Sequence, residues 1–124
     1  MLLRVTFYSI TFLFLFQVTT IAEEKFGGIG LIVAQLFDPS TTSKAGELVV
    51  IDVLAETDAQ KQGVQRGDVI TEIDQKNTKG ADFAALITKS LRGEIGSETV
   101  LKVKRSGVKE LLTFKIKRVE ITPP

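Results

Sequence analysis

The chain of 124 residues has no cysteine, no histidine and no tryptophan. Without cysteine there is no disulfide, so the fold stands on packing alone even in an oxidising compartment. Lacking both histidine and cysteine, the chain forgoes the commonest general base and the usual soft metal ligands. No metal site, no cofactor and no catalytic residue is expected. An excess of one charge is missing too: 16 Lys and Arg stand against 15 Asp and Glu, a formal net charge of +1. That balance gives no general affinity for nucleic acid. No G-K-[ST] sequence occurs, which excludes a P-loop.

What is present begins with "MLLRVTFYSITFLFLFQVTTIA". Arg4 is followed by a Phe-rich apolar run over 5–16 and then by small and polar residues up to Ala22. That order predicts a secretory signal, residues 1–22, cut after Ala22. The alternative is an uncleaved anchor, although a spanning helix needs about 20 consecutive apolar residues. On either reading the rest of the chain is exported, to a bacterial periplasm or the medium, and touches membrane only if the segment stays uncleaved. Residues 23–124 make one domain, with 15 basic residues against 15 acidic ones, long enough for a single core.

Hydrophobic patterning assigns the elements. "GLIVAQLF" (30–37) reads as a largely buried strand and "ELVVIDVL" (47–54) as a second, with the turn-rich "DPSTTSKAGE" between them. Thr57 or Asp58 caps a short helix over 58–62, which Gly63 ends. In "GDVITEID", Val69, Ile70 and Ile73 point inward, and Glu72 and Asp74 face water. "ADFAALITKSLRG" is the one longer amphipathic helix. "SETVLKVKR" and "KELLTFKIKR" alternate as strands around a Ser106-Gly107 turn. The sum is an α+β domain: a small, partly open antiparallel β-sandwich or barrel of five to six strands, with one short and one longer helix.

Candidate chemistry is thin. Glu72 and Asp74 share a strand face, but no converging partner accompanies them, and a solvated face accounts for the pair. Ser40, Ser43 and Lys44 lie in a polar loop of ordinary composition. The basic residues between Lys102 and Arg118 alternate with apolar ones, as the outer positions of half-buried strands do.

"KFGGIGLIV" (25–33) remains. A glycine cluster aims successive backbone N–H groups at an anion, and the strand directly after it offers an edge for pairing. Together these suit a peptide carboxyl terminus. "GGIGL" resembles the carboxylate-binding loop of PDZ domains. "AETDAQKQGVQRGDVITEID" and "LRGEIGSETVLKVKR" are similar to the following PDZ segments, most of all in bacterial carboxyl-terminal processing (tail-specific) serine proteases. The motifs come in order over 26–119. Arg66 and Gln75 depart from the proline and glycine common at their positions.

The resemblance implies a PDZ fold without a catalytic domain. Gly28, Ile29, Gly30 and Leu31 would form the carboxylate loop, and Ile32, Val33, Ala34 and Gln35 the peptide-pairing strand. Ala84, Thr88 and Leu91 would face the groove from the longer helix, with Phe83 and Ile87 in the core. The implied partner is a peptide or protein carboxyl terminus ending in an apolar residue. The alternative is a regulatory or adaptor subunit docked on a separate envelope protease or complex.

Overall fold

The computed structural model describes residues 25–121. The expected signal segment lies outside the described residues.

The strands are β1 (Phe26–Gly28), β2 (Leu31–Phe37), β3 (Ala45–Val53), β4 (Val69–Ile73), β5 (Lys76–Asn77), β6 (Glu98–Lys104), β7 (Leu112–Lys117) and β8 (Val119–Ile121). Helix α1 spans Asp58–Gln62; helix α2 opens with one α-helical turn, Phe83–Ala85, and continues as a π-helical segment, Leu86–Leu91. The main sheet runs β2-β3-β4-β6-β7 with β5 paired to β4, and β1 pairs with β8 in a separate ribbon. All pairings are antiparallel. The fold is α+β with an unclosed antiparallel sheet, as the sequence indicates.

Alternation builds the core. Leu48 and Val50 of β3, Leu101 and Val103 of β6, and Ile116 of β7 are all buried. Each buried Leu, Ile or Val contributes roughly 1.5–3 kcal/mol, the main support for a domain without disulfides. Ile70 and Ile73 of β4 are both buried although three residues apart. The β4–β6 register shifts between Ile70 and Glu72, and this bulge returns Ile73 to the inner face.

Helix α1 has the expected bounds. The Thr57 hydroxyl accepts from the Gln60 amide, and Gly63 closes the helix at φ 96°. Asp68, 1% exposed, accepts from the Gln65 amide and from two nitrogens of Arg105, which pins the turn into β4.

Two expectations need correction. Strand β2 is not largely buried: it is an edge strand, with Ile32 47%, Leu36 52% and Phe37 74% exposed. An apolar run alone does not say whether a strand is central or at an edge. Phe83 lies outside the core at 38% exposure, and Leu86 is buried instead. The ribbon of β1 and β8, in the register Phe26↔Ile121, Gly27↔Glu120 and Gly28↔Val119, lacks any apolar periodicity that would announce it.

Candidate functional site

The loop between β1 and β2 owes its shape to three glycines with separate tasks. Gly27 and Gly93 exchange both backbone hydrogen bonds, at 2.9 and 3.0 Å. A Cβ on Gly27 would lie 2.5 Å from the Gly93 oxygen, so only glycine lets the loop reach the end of α2. A Cβ on Gly28 would meet Ile121 Cγ1 at 2.7 Å. Gly30 has φ +76°, and the Thr57 side chain fills the place its Cβ would take. The Gly30 carbonyl accepts from the Leu54 amide at 2.8 Å. Ile29 is buried and anchors the loop in the core.

This arrangement leaves the Ile29 and Gly30 amides without a backbone acceptor among the described residues. Buried amides without a partner are uncommon, and a ligand is one way to satisfy them. Next to the loop is a cavity of about 200 Å³, lined among others by Ile29, Gly30, Leu31, Ile87, Leu91 and Arg92. That falls below the roughly 300 Å³ at which drug-sized pockets begin, a size suited to one or two side chains. Along its rim runs β2, carrying Ile32, Val33, Ala34 and Gln35, with one edge unpaired in the sheet.

The opposite wall is α2. Asp82 caps it by accepting from the Ala85 amide at 3.0 Å. The Arg92 amide then donates to the Ile87 carbonyl, five residues back, at 3.0 Å. This π-helical widening, frequent at functional sites, resets the register. Leu86 and Leu91, five apart, are both buried, and Ile87 and Leu91 line the cavity. Ala84 and Thr88, expected to face the groove, are exposed and outside the cavity lining, and the Thr88 hydroxyl donates to the Ala84 carbonyl at 2.8 Å. Ile87, expected in the core, takes the wall position. An α-helical spacing of four and three residues does not foresee the extra residue in the turn.

Two arginines stand at the same end of the helix. Arg118, 8% exposed, donates to the Leu91, Ser90 and Glu98 carbonyls and to the Ser97 hydroxyl. Arg92 stacks on Phe26, its guanidinium carbon 4.1 Å from the ring centroid. Both escape sequence reasoning, because Arg118 reads as one more outward cation of an alternating strand. Most of its basic neighbours are paired: Arg105 with Asp68, Lys102 with Glu72, Lys104 with Glu47 and Lys115 with Glu98.

A larger cavity, about 470 Å³, lies away from the loop and includes Thr41, Glu47, Thr71, Thr78 and Lys104. Its threonine hydroxyls already donate to backbone carbonyls, and Lys104 is 3.7 Å from Glu47. Nothing converges on that space. Asp74 is exposed, as read from the sequence, and its carboxylate accepts from the Thr99 hydroxyl and the Val100 amide. Among the described residues no three His, Cys, Asp or Glu gather to hold a metal, and no helix is long and apolar enough to cross a membrane.

The family model for the PDZ domain matches residues 27–117. The chain belongs to the PDZ family. Relatives of this PDZ domain include the carboxy-terminal processing protease CtpB of Bacillus subtilis, 30% identical over 99 residues, covering 80% of this chain and 19% of the protease. The carboxy-terminal-processing protease of Bartonella bacilliformis is 32% identical over 94 residues, 76% of this chain and 20% of the protease. The chain thus spans about a fifth of the length of these curated relatives. Among solved structures, the photosystem II D1 C-terminal processing protease has a TM-score of 0.65 at 22% identity, over 84% of this chain and 26% of that one. The HtrA3 PDZ domain bound to a phage-derived ligand has a TM-score of 0.56 at 20% identity, over 82% and 92%. The structural likenesses show the fold, and the relatives place this PDZ domain with the PDZ regions of carboxy-terminal processing proteases.

Proposed function

We propose that this PDZ domain is an exported, non-catalytic module that captures carboxyl termini ending in an apolar residue. The peptide adds as a strand to the open edge of β2, over Leu31 to Gln35. Its carboxylate sits on the amides of Ile29, Gly30 and Leu31, and its last side chain enters the cavity bounded by Ile87 and Leu91. The observation that carries this reading is the meeting of three features: an edge strand, unpaired amides and a small apolar cavity. Strand addition supplies affinity, and pockets for alternate side chains supply specificity. The buried area stays below the roughly 1,200 Å² of stable complexes, so affinity on the order of micromolar is expected. Titration with peptides carrying free and amidated carboxyl termini tests it. Carboxylate capture predicts a preference for the free acid, and equal affinity for both would refute it. Export adds a further expectation: the mature chain begins at Glu23, which N-terminal sequencing of the exported protein reads directly.

A second reading has one observation in its favour, the kinship with proteases of which a PDZ region is a small part. In it the domain is a regulatory or adaptor subunit that docks on a separate envelope protease or complex through another surface. Gly30→Pro separates the two, since proline cannot adopt φ +76°. Retention of a protease partner by the folded variant would favour docking; loss would favour the groove.

A further inference from the structure

We infer that Arg92 is the counter-ion of the bound carboxylate and sets the preference for a free carboxyl terminus. The inference rests on the peptide-capture reading above and adds a residue to it. Three basic side chains stand near the glycine loop, and two are already engaged. Lys25 is 3.2 Å from Glu120. Arg118 spends its guanidinium on the carbonyls of Ser90, Leu91 and Glu98 and on the Ser97 hydroxyl. Arg92 lines the cavity beside Ile29, Gly30 and Leu31, and among the described residues it makes no ion pair. Stacking on Phe26 at 4.1 Å limits its rotamers, so little freedom is lost when an anion arrives.

Electrostatics gives an independent reason for a cation there. The cavity lies at the carboxyl end of α2, where backbone carbonyls carry partial negative charge and an anion is disfavoured. Arg118 takes up the carbonyls of Ser90 and Leu91, which offsets part of that repulsion. Arg92, the next residue along, adds the positive charge on the cavity side. The amides of Ile29 and Gly30 then orient the carboxylate, and the guanidinium neutralises it.

The test is a thermodynamic cycle on the whole protein. The probes are two pools of heptapeptides ending in Val, Leu, Ala or Phe, made once as free acids and once as amides. Wild type, Arg92→Gln and Arg92→Lys are compared by retention of each pool, with thermal melting to show that each variant is folded. The expected result is a preference of wild type for the acids that falls about tenfold in Arg92→Gln. Arg92→Lys should lie between, since lysine keeps the charge but loses the planar fork. Amide retention should be the same in all three, and added salt should weaken acid retention by wild type more than by Arg92→Gln. An acid preference undiminished in both variants overturns the role of Arg92 and leaves carboxylate capture standing. Equal loss of acids and amides overturns it as well, because a role in cavity shape has that signature. No acid preference in wild type overturns both readings.

Discussion

Replacing Arg118 with methionine asks how the groove helix is held. Arg118 is 8% exposed, and its guanidinium makes four hydrogen bonds: to the Leu91, Ser90 and Glu98 carbonyls at 3.0, 3.0 and 3.3 Å and to the Ser97 hydroxyl at 3.0 Å. Methionine matches the aliphatic stem of arginine but stops short of the guanidinium and has no donor. The Leu91 carbonyl belongs to a buried residue and loses its guanidinium partner, a cost of about 1–3 kcal/mol. Ser90 and Glu98 are less buried, so their carbonyls regain water and lose about 0.5 kcal/mol each. The Ser97 hydroxyl can rotate away at little cost. Loss of the cation from the helix end removes another ~0.5–1 kcal/mol. Part of this is returned, because a buried charge no longer has to be desolvated. The net expectation is a loss of about 2–3 kcal/mol, a large share of the 5–15 kcal/mol usual for a domain. Urea denaturation followed by circular dichroism reads it as a lower midpoint at unchanged slope. Arg118→Lys should lose roughly half as much. Peptide affinity should fall in both, since the cavity residue Leu91 is held through its own carbonyl. An Arg118→Met protein within about 0.5 kcal/mol of wild type would refute the reasoning.

Other expectations follow from single contacts. Gly30→Ala places a methyl group where Thr57 packs, at a backbone φ of +76°; a stability loss of about 2–4 kcal/mol and a fall in peptide affinity are expected by thermal melting and titration. Asp68→Ala leaves Arg105 without its carboxylate and should cost about 3–5 kcal/mol in urea denaturation, whereas Glu120→Ala, which removes only the exposed Lys25 pair, should cost no more than about 1 kcal/mol. Gln75 sits at φ 70°, so Gln75→Gly should be neutral or stabilise by up to about 1 kcal/mol: relief of left-handed strain exceeds the added entropy of the unfolded chain. Asp38 is held below its ordinary value of 3.8 by the Ser40 hydroxyl and amide and then by Lys79. Its contribution is therefore present above pH 4 and lost as pH falls through the lowered folded value. Carbon-detected NMR titration should show a midpoint below 3.8, and Ser40→Ala should raise it.

How much of this could be read from the chain depends on how local each feature is. Helix α1 was legible because its cap Thr57 and its stop Gly63 are neighbours in sequence. Strand β6 was legible because its alternation is unbroken. The exposure of β2 was not, because an edge position is a property of strand order and not of the strand. On the helix wall, the sequence points to Leu91, which does line the cavity, but not to Ile87. Whether a turn holds the extra residue of a π-helix is decided by the burial of Leu86 together with Leu91, which no local pattern reveals. Arg118 was hidden because the carbonyls it serves come from residues 27 and 28 positions earlier. The glycine loop is legible in the sequence, but only part of its rationale is. Gly27 and Gly28 are required by the close approach of Gly93 and Ile121, and only Gly30 of the three has positive φ. The loop presents backbone amides to an anion but carries no charged side chain of its own. On the peptide-capture reading, the guanidinium of Arg92, in the lining of the same cavity, adds the charge that the loop's own residues lack.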